Sequence, residues 1–210
     1  MTRILIVDDH PIVREGLKQI VAKSADMIVG GEAVSGQEAL NKLRSEHWDV
    51  VLLDISLPDR SGLEVLRQIK GEGMKVRVLV LSMLPEEQYA VRMLKAGASG
   101  YMTKESAPEE LINAIRKISL GGKYISLPLA ERLAFNLDDD SERPPHEALS
   151  DREYEVLCLI AAGKTVRIIS EELLLSPKTI SGYRARALAK MELKNNAEIT
   201  RYAIRNKLVD

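Results

Sequence analysis

The sequence predicts an α/β domain with a doubly wound, five-stranded parallel sheet, followed by a small all-α domain. Up to Gly122, short apolar runs alternate with amphipathic helical segments, which is typical of parallel strands joined by right-handed crossover helices. Beyond Gly122 no further strand-like run occurs, and helical segments are separated by short turns. We expect the first domain at residues 1–122, a linker at 123–148 and the second domain at 149–210.

Five buried strands are predicted in the first domain. Four are short apolar runs, as expected for strands covered by helices on both faces: Ile4–Val7, Val50–Leu53, Val78–Leu81 and Gly100–Met102. The fifth is predicted over Met27–Val34. Helices are predicted from apolar residues at helical spacing, with prolines near three of the starts. Their expected ranges are 11–21, 37–43, 63–69, 86–96 and 108–118.

The second domain is predicted to contain four helices. Ser150 can cap the first helix, with Glu153 at the matching capping-box position, and Gly163 ends it. The second is predicted over Thr165–Leu174, the third over Pro177–Met191 with Ser176 as its cap, and the fourth over Asn195–Asn206. A further short helix, Leu129–Ala134, is predicted inside the linker.

The composition is typical of a soluble globular protein. The 210 residues are 45% hydrophobic and include 30 basic and 31 acidic side chains. The linker is acidic around Asp138–Asp140, whereas four bases and no acids lie within Pro177–Met191. Arg3 precedes an apolar run that is too short for a signal peptide or a membrane span, so we expect a cytoplasmic protein without membrane association. The lone Cys158 excludes an intramolecular disulfide and is expected in the core.

Side chains that can bind phosphate or metal lie where four of the predicted strands end: Asp8, Asp9, Asp54, Ser82 and Lys104. The carboxyl ends of parallel strands open onto one crevice, so we expect these side chains to converge. Three carboxylates in one pocket repel one another unless a cation joins them, and oxygen ligands favour Mg²⁺. Asp54 is placed to attack a phosphoryl group and hold it as an acyl phosphate, with Lys104 as a fixed positive charge.

Several stretches of the first domain resemble the receiver domain of two-component response regulators, over about residues 1–122. These stretches are Val7–His10, Leu53–Pro58 with Gly62, Leu81–Ser82 and Gly97–Lys104. The resemblance implies a flavodoxin-like fold in which Asp8, Asp9, Asp54 and the backbone carbonyl of Ser56 bind Mg²⁺. It implies that a histidine kinase phosphorylates Asp54, that Lys104 contacts the phosphoryl group, and that Ser82 and Tyr101 form a switch pair.

From its residues alone, the segment Gly163–Met191 fits either a helix-turn-helix or a helical bundle with one solvated cationic face. The stretches Leu149–Glu153, Ala162–Gly163 and Ser176–Ile180 resemble the LuxR-type DNA-binding domain of NarL/FixJ-like regulators, over about residues 147–210. The resemblance implies that double-stranded DNA is contacted by Lys178, Thr179, Ser181, Gly182, Tyr183, Arg184, Arg186 and Lys190.

The second domain departs from the family pattern in two places. Val166–Ile168 replaces the usual Asn-Lys-Glu, and Gly182 and Tyr183 replace a polar residue and a His. Gly182 costs about 1 kcal/mol of helix propensity relative to Ala, so it is either kept for close approach of the backbone to DNA or merely tolerated.

The two resemblances together predict a phosphorylation-switched, DNA-binding transcription regulator that is not an enzyme beyond self-dephosphorylation. Phosphorylation is expected to change the face formed by the fourth helix, fourth strand and fifth helix and to favour a homodimer; RNA polymerase is a further expected partner. Two alternatives stay open: a regulator that ignores phosphorylation, and a helical domain that binds protein instead of DNA. Mg²⁺-dependent phosphatases of the haloacid dehalogenase type also use a strand-end Asp, but they need an acid where this chain has Ser56.

Overall fold

The chain divides into two units, residues 1–136 and 137–210. The computed structural model describes residues 1–83, 86–127, 129–131, 144–173, 175–206 and 208–209. The helix predicted at Leu129–Ala134 extends outside the described residues, and the predicted limits of the two domains and the linker stay a prediction. Within the described parts of both units, no helix is both long and apolar enough to cross a membrane.

A five-stranded parallel sheet forms the centre of the first unit. Its strands are β1 (Thr2–Val7), β2 (Met27–Ala33), β3 (Val50–Asp54), β4 (Arg77–Ser82) and β5 (Gly100–Thr103). They lie in the order β2-β1-β3-β4-β5, and every neighbouring pair is parallel. The direction of the chain across the sheet reverses between β1 and β3, which leaves a crevice outside their carboxyl ends. The doubly wound architecture predicted from the sequence is confirmed.

Five helices connect and follow these strands: α1 (Pro11–Val21), α2 (Gly36–Ser45), α3 (Gly62–Gly71), α4 (Glu86–Lys95) and α5 (Pro108–Ser119). Proline occupies the first turn of α1 and α5, where its missing N–H costs nothing. Ser35 caps α2 by accepting a hydrogen bond from the Glu38 amide, and Ser61 and Glu64 form a capping box on α3. These local signals place every helix start within one residue of its predicted position.

The sheet is covered on both faces, which explains why its central strands are continuously apolar. Leu52 on β3 and Leu79 on β4 are 1% and 0% exposed, and Ile115 of α5 belongs to the same buried cluster. Before β3, Trp48 is buried beneath the guanidinium group of Arg3, which lies 4.3 Å from the ring centroid. The strand ends that carry the candidate site therefore project from a packed core.

Strand β5 forms one edge of the sheet, and β4 lies inside it between β3 and β5. Helix α4 contacts β5. The expected signalling face of fourth helix, fourth strand and fifth helix stays a prediction, although β5 rather than β4 is the strand at this edge beside α4. Chain order alone could not give this result, because it does not specify which strand pairs at the edge.

The described part of the second unit contains four α-helices, preceded by a 3-10 turn at Pro145–Ala148. They are α6 (Asp151–Ala161), α7 (Val166–Glu172), α8 (Pro177–Lys190) and α9 (Asn196–Arg205). Each helix begins after a side chain that accepts a hydrogen bond from a backbone amide of its first turn, and these caps are Ser150, Thr165, Ser176 and Asn195. The capping box of Ser150 and Glu153 is present as the sequence predicts.

Helix α6 is the central helix of the second unit and contacts both α8 and α9. Val156 and Leu157 are fully buried, and Cys158 is 4% exposed, which confirms its expected core position. The Nδ1 atom of His146 lies 2.9 Å from the Tyr202 hydroxyl oxygen, so the 3-10 turn is attached to α9.

Replacement of Gly62 by Ala tests how closely the start of α3 approaches the end of β3. A Cβ atom at position 62 would lie 2.3 Å from the Asp54 carbonyl oxygen, whereas one at Gly71, in the same helix, would meet nothing within 4 Å. We expect Gly62→Ala to lower the free energy of unfolding by about 1–3 kcal/mol through overpacking. The matched Gly71→Ala should leave it unchanged or raise it by up to about 1 kcal/mol. Urea titration followed by Trp48 fluorescence measures both; equal midpoints would contradict the close approach.

Candidate functional site

Acidic side chains gather at the carboxyl edge of the sheet. Asp8 and Asp9 follow β1, and Asp54 is the last residue of β3. One potential ligand atom from each of these residues, together with one from His10, lies within 4.8 Å of all the others. The structure therefore brings together the three carboxylates that the sequence places at separate strand ends.

Lys104 connects two of these carboxylates from the loop after β5. Its Nζ lies 2.7 Å from Asp8 Oδ2 and 2.9 Å from Asp54 Oδ2. Burial raises the pKa of Asp54, and the nearby Asp8 adds to this, so the opposing attraction of Lys104 does not bring it back to its ordinary value. Burial also disfavours the Lys104 ammonium, but Asp54 and Asp8 outweigh burial and raise the pKa of Lys104. Lys104 therefore stays protonated, but its single positive charge does not balance the charges of the carboxylates around it.

The carboxylates differ in how completely the protein satisfies them. Asp8 Oδ1 accepts a hydrogen bond from the His10 amide at 2.8 Å, and its Oδ2 pairs with Lys104. Asp54 Oδ2 is buried beside the same ammonium, and Asp9 Oδ1 is buried with His10 Nδ1 at 2.7 Å. Three carboxylates thus share one lysine, and carboxylate oxygens are the ligands that hard divalent cations prefer. The donor set at this edge of the sheet therefore fits a divalent metal.

The remaining predicted residues of this site lie on the adjoining strands and loop. Ser82 is the last residue of β4 and is 1% exposed, and its carbonyl accepts a hydrogen bond from the Lys104 amide at 2.8 Å. Tyr101 on β5 is fully buried, so its ring lies inside the unit. The backbone amide of Ser56 hydrogen-bonds to the Asp54 carboxylate, which places this loop directly beside the cluster.

A neighbouring carboxylate has the opposite electrostatic balance. The two oxygens of Asp59 accept hydrogen bonds from the backbone amides of Gly36 and Gln37, each at 2.8 Å, so the loop after β3 is attached to the start of α2. Burial opposes ionisation of Asp59, but these amides outweigh it and lower the pKa of the carboxyl group. Ionisation of Asp59 therefore stabilises the folded protein, whereas ionisation of Asp54 destabilises it.

The predicted cationic stripe on α8 is not uniformly available to a ligand. Arg186 Nε lies 3.1 Å from Glu153 Oε1, and Lys190 Nζ lies 2.6 Å from Glu153 Oε2. Arg184 Nε donates to Asn196 Oδ1 at 2.6 Å. Lys178, in the first turn of α8, is exposed. Two of the four cations are thus attached to a buried carboxylate, Arg184 in the middle of the helix is attached to Asn196, and Lys178 is exposed in the first turn.

The other predicted contact residues also lie on α8. Ser181 is exposed, Gly182 and Tyr183 are half-buried, and the Arg186 guanidinium carbon lies 4.8 Å from the Tyr183 ring centroid. Thr179 donates its amide to the Ser176 cap. A Cβ atom at Gly182 would approach only the Arg186 side chain, at an ordinary contact distance of 3.5 Å. Packing within the described part of the protein therefore does not require glycine at this position.

Two residues that now belong to these sites received no such role from the sequence. His10 stands directly after the paired aspartates, and this adjacency is the signal that could have identified it. Glu153 was predicted only as a helix cap, although it is 3% exposed and holds two cations of α8. Burial would raise the pKa of Glu153, but its bonds to Lys190 and Ser150 dominate and lower it to about 2.

Substitution of Asp54 by Asn should stabilise the first unit in metal-free solution at pH 7. The raised pKa means that folding disfavours the ionised carboxylate, so a neutral isostere removes a cost. The gain should shrink as the pH falls towards the ordinary carboxyl pKa, where Asp54 is neutral in both states. Asp59→Asn is the matched control and should destabilise, because the lowered pKa marks a charge that folding favours. Urea midpoints followed by Trp48 fluorescence measure both; changes of the same sign would contradict the assignment.

Substitution of Glu153 by Gln should destabilise the second unit. The depressed pKa contributes stability that is present above about pH 4.5 and is lost as the pH falls towards 2. Because Arg186 and Lys190 are partly exposed, screening reduces the loss at pH 7 to about 1–2 kcal/mol. Glu171→Gln, which removes an exposed pair with Arg167, should change stability by less than about 0.5 kcal/mol. Far-UV circular dichroism reports on both units and Trp48 fluorescence on the first alone, so a shift in fluorescence only would oppose this assignment.

Comparison with known proteins identifies relatives over the whole chain. Residues 4–116 match the family described as response regulator receiver domain, and residues 147–203 match the bacterial regulatory proteins of the luxR family. The chain is 38% identical over 210 residues to the response regulator GacA of Pseudomonas protegens. The alignment covers 100% of this chain and 99% of GacA. It is 36% identical over 209 residues to the response regulator UvrY of Escherichia coli K12, covering 99% and 96% respectively.

A solved structure supports the same relationship. RcsB from Salmonella enterica serovar Typhimurium, bound to promoter rprA in the presence of the phosphomimetic BeF3−, aligns with a TM-score of 0.64 and 26% identity. The alignment covers 96% of this chain and 97% of that chain. The receiver match alone spans more than half of the sequence. This chain therefore belongs to the response-regulator family, with a receiver domain followed by a luxR-family output domain.

Proposed function

We propose that this protein is a phosphorylation-switched, DNA-binding transcription regulator of a two-component system, with Asp54 as the residue that a histidine kinase phosphorylates. The observation that carries the proposal is the state of the Asp54 carboxylate. It is buried, its Oδ2 is paired with Lys104 at 2.9 Å, and it shares that single ammonium group with Asp8. This arrangement occurs in the same chain as a luxR-family helical unit.

Mg²⁺ is the proposed cofactor, and Asp8, Asp9, Asp54 and the backbone carbonyl of Ser56 would hold it. When bound, the metal supplies positive charge to the phosphoryl oxygens and to the attacking carboxylate. Asp9 Oδ1 and Asp54 Oδ2 are buried in the cluster, with His10 Nδ1 at 2.7 Å and Lys104 Nζ at 2.9 Å, and would be the direct ligands. Asp8 is occupied by His10 and Lys104, so its main effect is to keep the ammonium group beside Asp54.

Phosphoryl transfer would proceed by attack of an Asp54 carboxylate oxygen on the phosphorus of a phosphohistidine. The new O–P bond forms as the P–N bond breaks, and the imidazole of the kinase leaves with the bonding electron pair. Lys104 already lies 2.9 Å from Asp54 Oδ2, so its ammonium can follow the charge onto a phosphoryl oxygen. Burial and the raised pKa of Asp54 mean that the carboxylate needs this cation to remain ionised.

Phosphorylation of Asp54 would change the positions of the Ser82 and Tyr101 side chains. A phosphoryl group on Asp54 adds acceptor oxygens next to the carboxyl end of β4, where the Ser82 hydroxyl can donate to one of them. Movement of Ser82 would favour the buried position of the Tyr101 ring and shift an existing equilibrium of the face formed by α4, β5 and α5. Homodimerisation through that face is the proposed consequence, as expected for a regulator with two DNA half-sites.

DNA recognition is assigned to α8 as the second helix of a helix-turn-helix. The proposed contact residues are Lys178, Thr179, Ser181, Gly182, Tyr183, Arg184, Arg186 and Lys190. Joining two such helices in one dimer makes the second binding event intramolecular, which raises affinity without new contacts. We place the protein in the cytoplasm, with RNA polymerase as a further partner of the DNA-bound dimer.

The first alternative is an enzyme that releases phosphate from a small molecule. Ser56 stands where phosphatases of the haloacid dehalogenase type need a second acid. Self-dephosphorylation is therefore the only catalytic activity proposed. A regulator that ignores phosphorylation, or whose helical domain binds protein, is tested by the two experiments below.

Asp54→Asn should abolish incorporation of ³²P from labelled acetyl phosphate in the presence of Mg²⁺, because the amide is not a competent nucleophile. The label on the unmodified protein should be stable in acid and labile in base, as expected for an acyl phosphate. Asp59→Asn removes a nearby carboxylate that caps α2 and should keep the label. Labelling that survives in Asp54→Asn would exclude Asp54 as the acceptor.

Lys178→Gln should reduce the slope of log affinity against log salt concentration by about 1 for a duplex selected from genomic fragments. Lys190→Gln should reduce it by less, because Glu153 already neutralises that ammonium. Lys18→Gln, in the receiver unit and paired with Glu15 and Glu32, should leave the slope unchanged. Fluorescence anisotropy at several salt concentrations measures the slopes. Equal changes for all three variants would remove α8 from the proposed interface, and the absence of any bound duplex would favour a protein partner.

A further inference from the structure

Three basic side chains gather at the amino edge of the sheet, opposite the carboxylate cluster. Lys70 lies in the last turn of α3, Arg77 is the first residue of β4, and Lys123 comes after α5. All three residues are exposed to solvent. We call them the amino-edge cations. The Ser99 amide donates to the Val78 carbonyl at 2.7 Å, so the turn that precedes β5 lies beside the start of β4.

Two glycine turns hold these side chains close together. At Gly97, before β5, a Cβ atom would lie 2.7 Å from Lys70 Cε, so the stem of this lysine lies directly across the turn. The Lys123 ammonium group donates a hydrogen bond to the carbonyl of the residue that follows Gly97. A Cβ atom at Gly121 would lie 3.6 Å from Arg77 Nη2. Both glycines have positive φ, which glycine adopts without strain, and the two turns bring the three cations to one surface.

The acids next to these cations along the chain and across the sheet bind other groups. Glu72, just after α3, accepts a hydrogen bond from Arg44 Nε at 2.9 Å. The Asp49 carbonyl accepts the amide of the first residue of β4, but its carboxylate accepts the Arg3 amide at 2.7 Å. The amino-edge cations themselves form no ion pair with an acid among the described residues. Their positive charge therefore stays available to a ligand.

Repulsion among the amino-edge cations is not compensated by the protein. Partial burial lowers the pKa of Lys123, and the positive charges of Lys70 and Arg77 lower it further. Arg116, an exposed cation of the same unit, shows the opposite behaviour, because its pair with Asp26 raises its pKa. An anion bound at the amino edge would relieve the repulsion that these three side chains experience.

The donors of the cluster favour a phosphate group over a single carboxylate. The Lys123 ammonium has three N–H donors and uses one of them on a backbone carbonyl. The Arg77 guanidinium presents a planar fork that matches two oxygens of one phosphate group. A carboxylate has two oxygens and one charge, and the fork alone would occupy both oxygens. A phosphate dianion has further oxygens that can accept from the two lysines.

We propose that Lys70, Arg77 and Lys123 form a binding site for a soluble phosphate anion at the amino edge of the sheet. The site lies at the opposite edge from Asp54 and takes no part in the proposed phosphoryl transfer, so it is an additional site. Pyrophosphate should bind more tightly than inorganic phosphate, because it brings more negative charge and more oxygens to the same cations.

Lys23 provides a matched control for the loss of one positive charge. Like Lys70, it is an exposed lysine near the end of a helix, and it forms no ion pair with an acid among the described residues. It precedes β2, however, and β2 and β5 lie on opposite sides of the sheet. Lys23→Gln therefore removes a charge at a helix end without changing the proposed site.

Two-dimensional ¹H–¹⁵N NMR of the full-length protein, titrated with inorganic phosphate or pyrophosphate in metal-free buffer at constant ionic strength, tests the proposal. We expect saturable shifts of the Gly97 and Gly121 amide signals in the unmodified protein and in Lys23→Gln, with equal affinity. Lys123→Gln and Arg77→Gln should each bind roughly tenfold more weakly, because each removes a charge-assisted hydrogen bond. The unchanged positions of the remaining amide signals show that each variant is folded.

Shifts that do not saturate in the unmodified protein, or an equal loss of affinity in Lys23→Gln, would overturn the proposal. Full affinity in both Lys123→Gln and Arg77→Gln would also overturn it. The phosphate groups of DNA are a second source of the same chemistry, and the salt dependence of duplex binding separates the two. Arg77→Gln should leave that slope unchanged, whereas a slope reduced by about 1 would assign these cations to DNA and contradict a site for a soluble anion.

Discussion

The attraction of the Lys104 ammonium for Asp8 and Asp54 is the interaction on which the candidate site depends. Carboxylates from β1 and β3 meet in a buried crevice where burial opposes their ionisation, and one lysine after β5 supplies positive charge to both. The chain leaves β1, β3 and β5 at the same edge of the parallel sheet, so the side chains that follow these strands lie close together. Burial of Asp8 and Asp54 strengthens these charge interactions relative to those between exposed groups.

One lysine does not balance three carboxylates. The remaining negative charge of the site favours the binding of a cation. Asp8 and Asp54 share the single ammonium group of Lys104, and Asp9 Oδ1 lies 2.7 Å from the ring nitrogen of His10. In the proposed function a metal ion would supply positive charge and a phosphoryl group would add negative charge, so binding of one would support binding of the other. Phosphorylation of Asp54 would then require these ion pairs to rearrange.

The second unit also contains a buried carboxylate, Glu153, and cations of the protein itself neutralise it. Glu153 and Asp54 are both 3% exposed, but Glu153 has less protein around it, and Lys190 and the Ser150 cap stabilise its charge, so its pKa is lowered rather than raised. The same contacts fix the orientation of α8 relative to α6. Because Arg186 and Lys190 are paired with Glu153, we expect them to contribute less to ligand binding than Lys178 does.

The sequence by itself determined the alternation of strands and helices, the helix caps and the five residues at the strand ends, because each is set by local spacing or by backbone chemistry. It could not assign β5 to the sheet edge, since strand pairing is decided by packing between distant segments. Nor could it show that Glu153 would pair with Arg186 and Lys190, or that His10 would face the aspartates, because both depend on side-chain directions in the folded chain. Only the tertiary structure determines which charged side chains pair with one another and which can still bind a ligand.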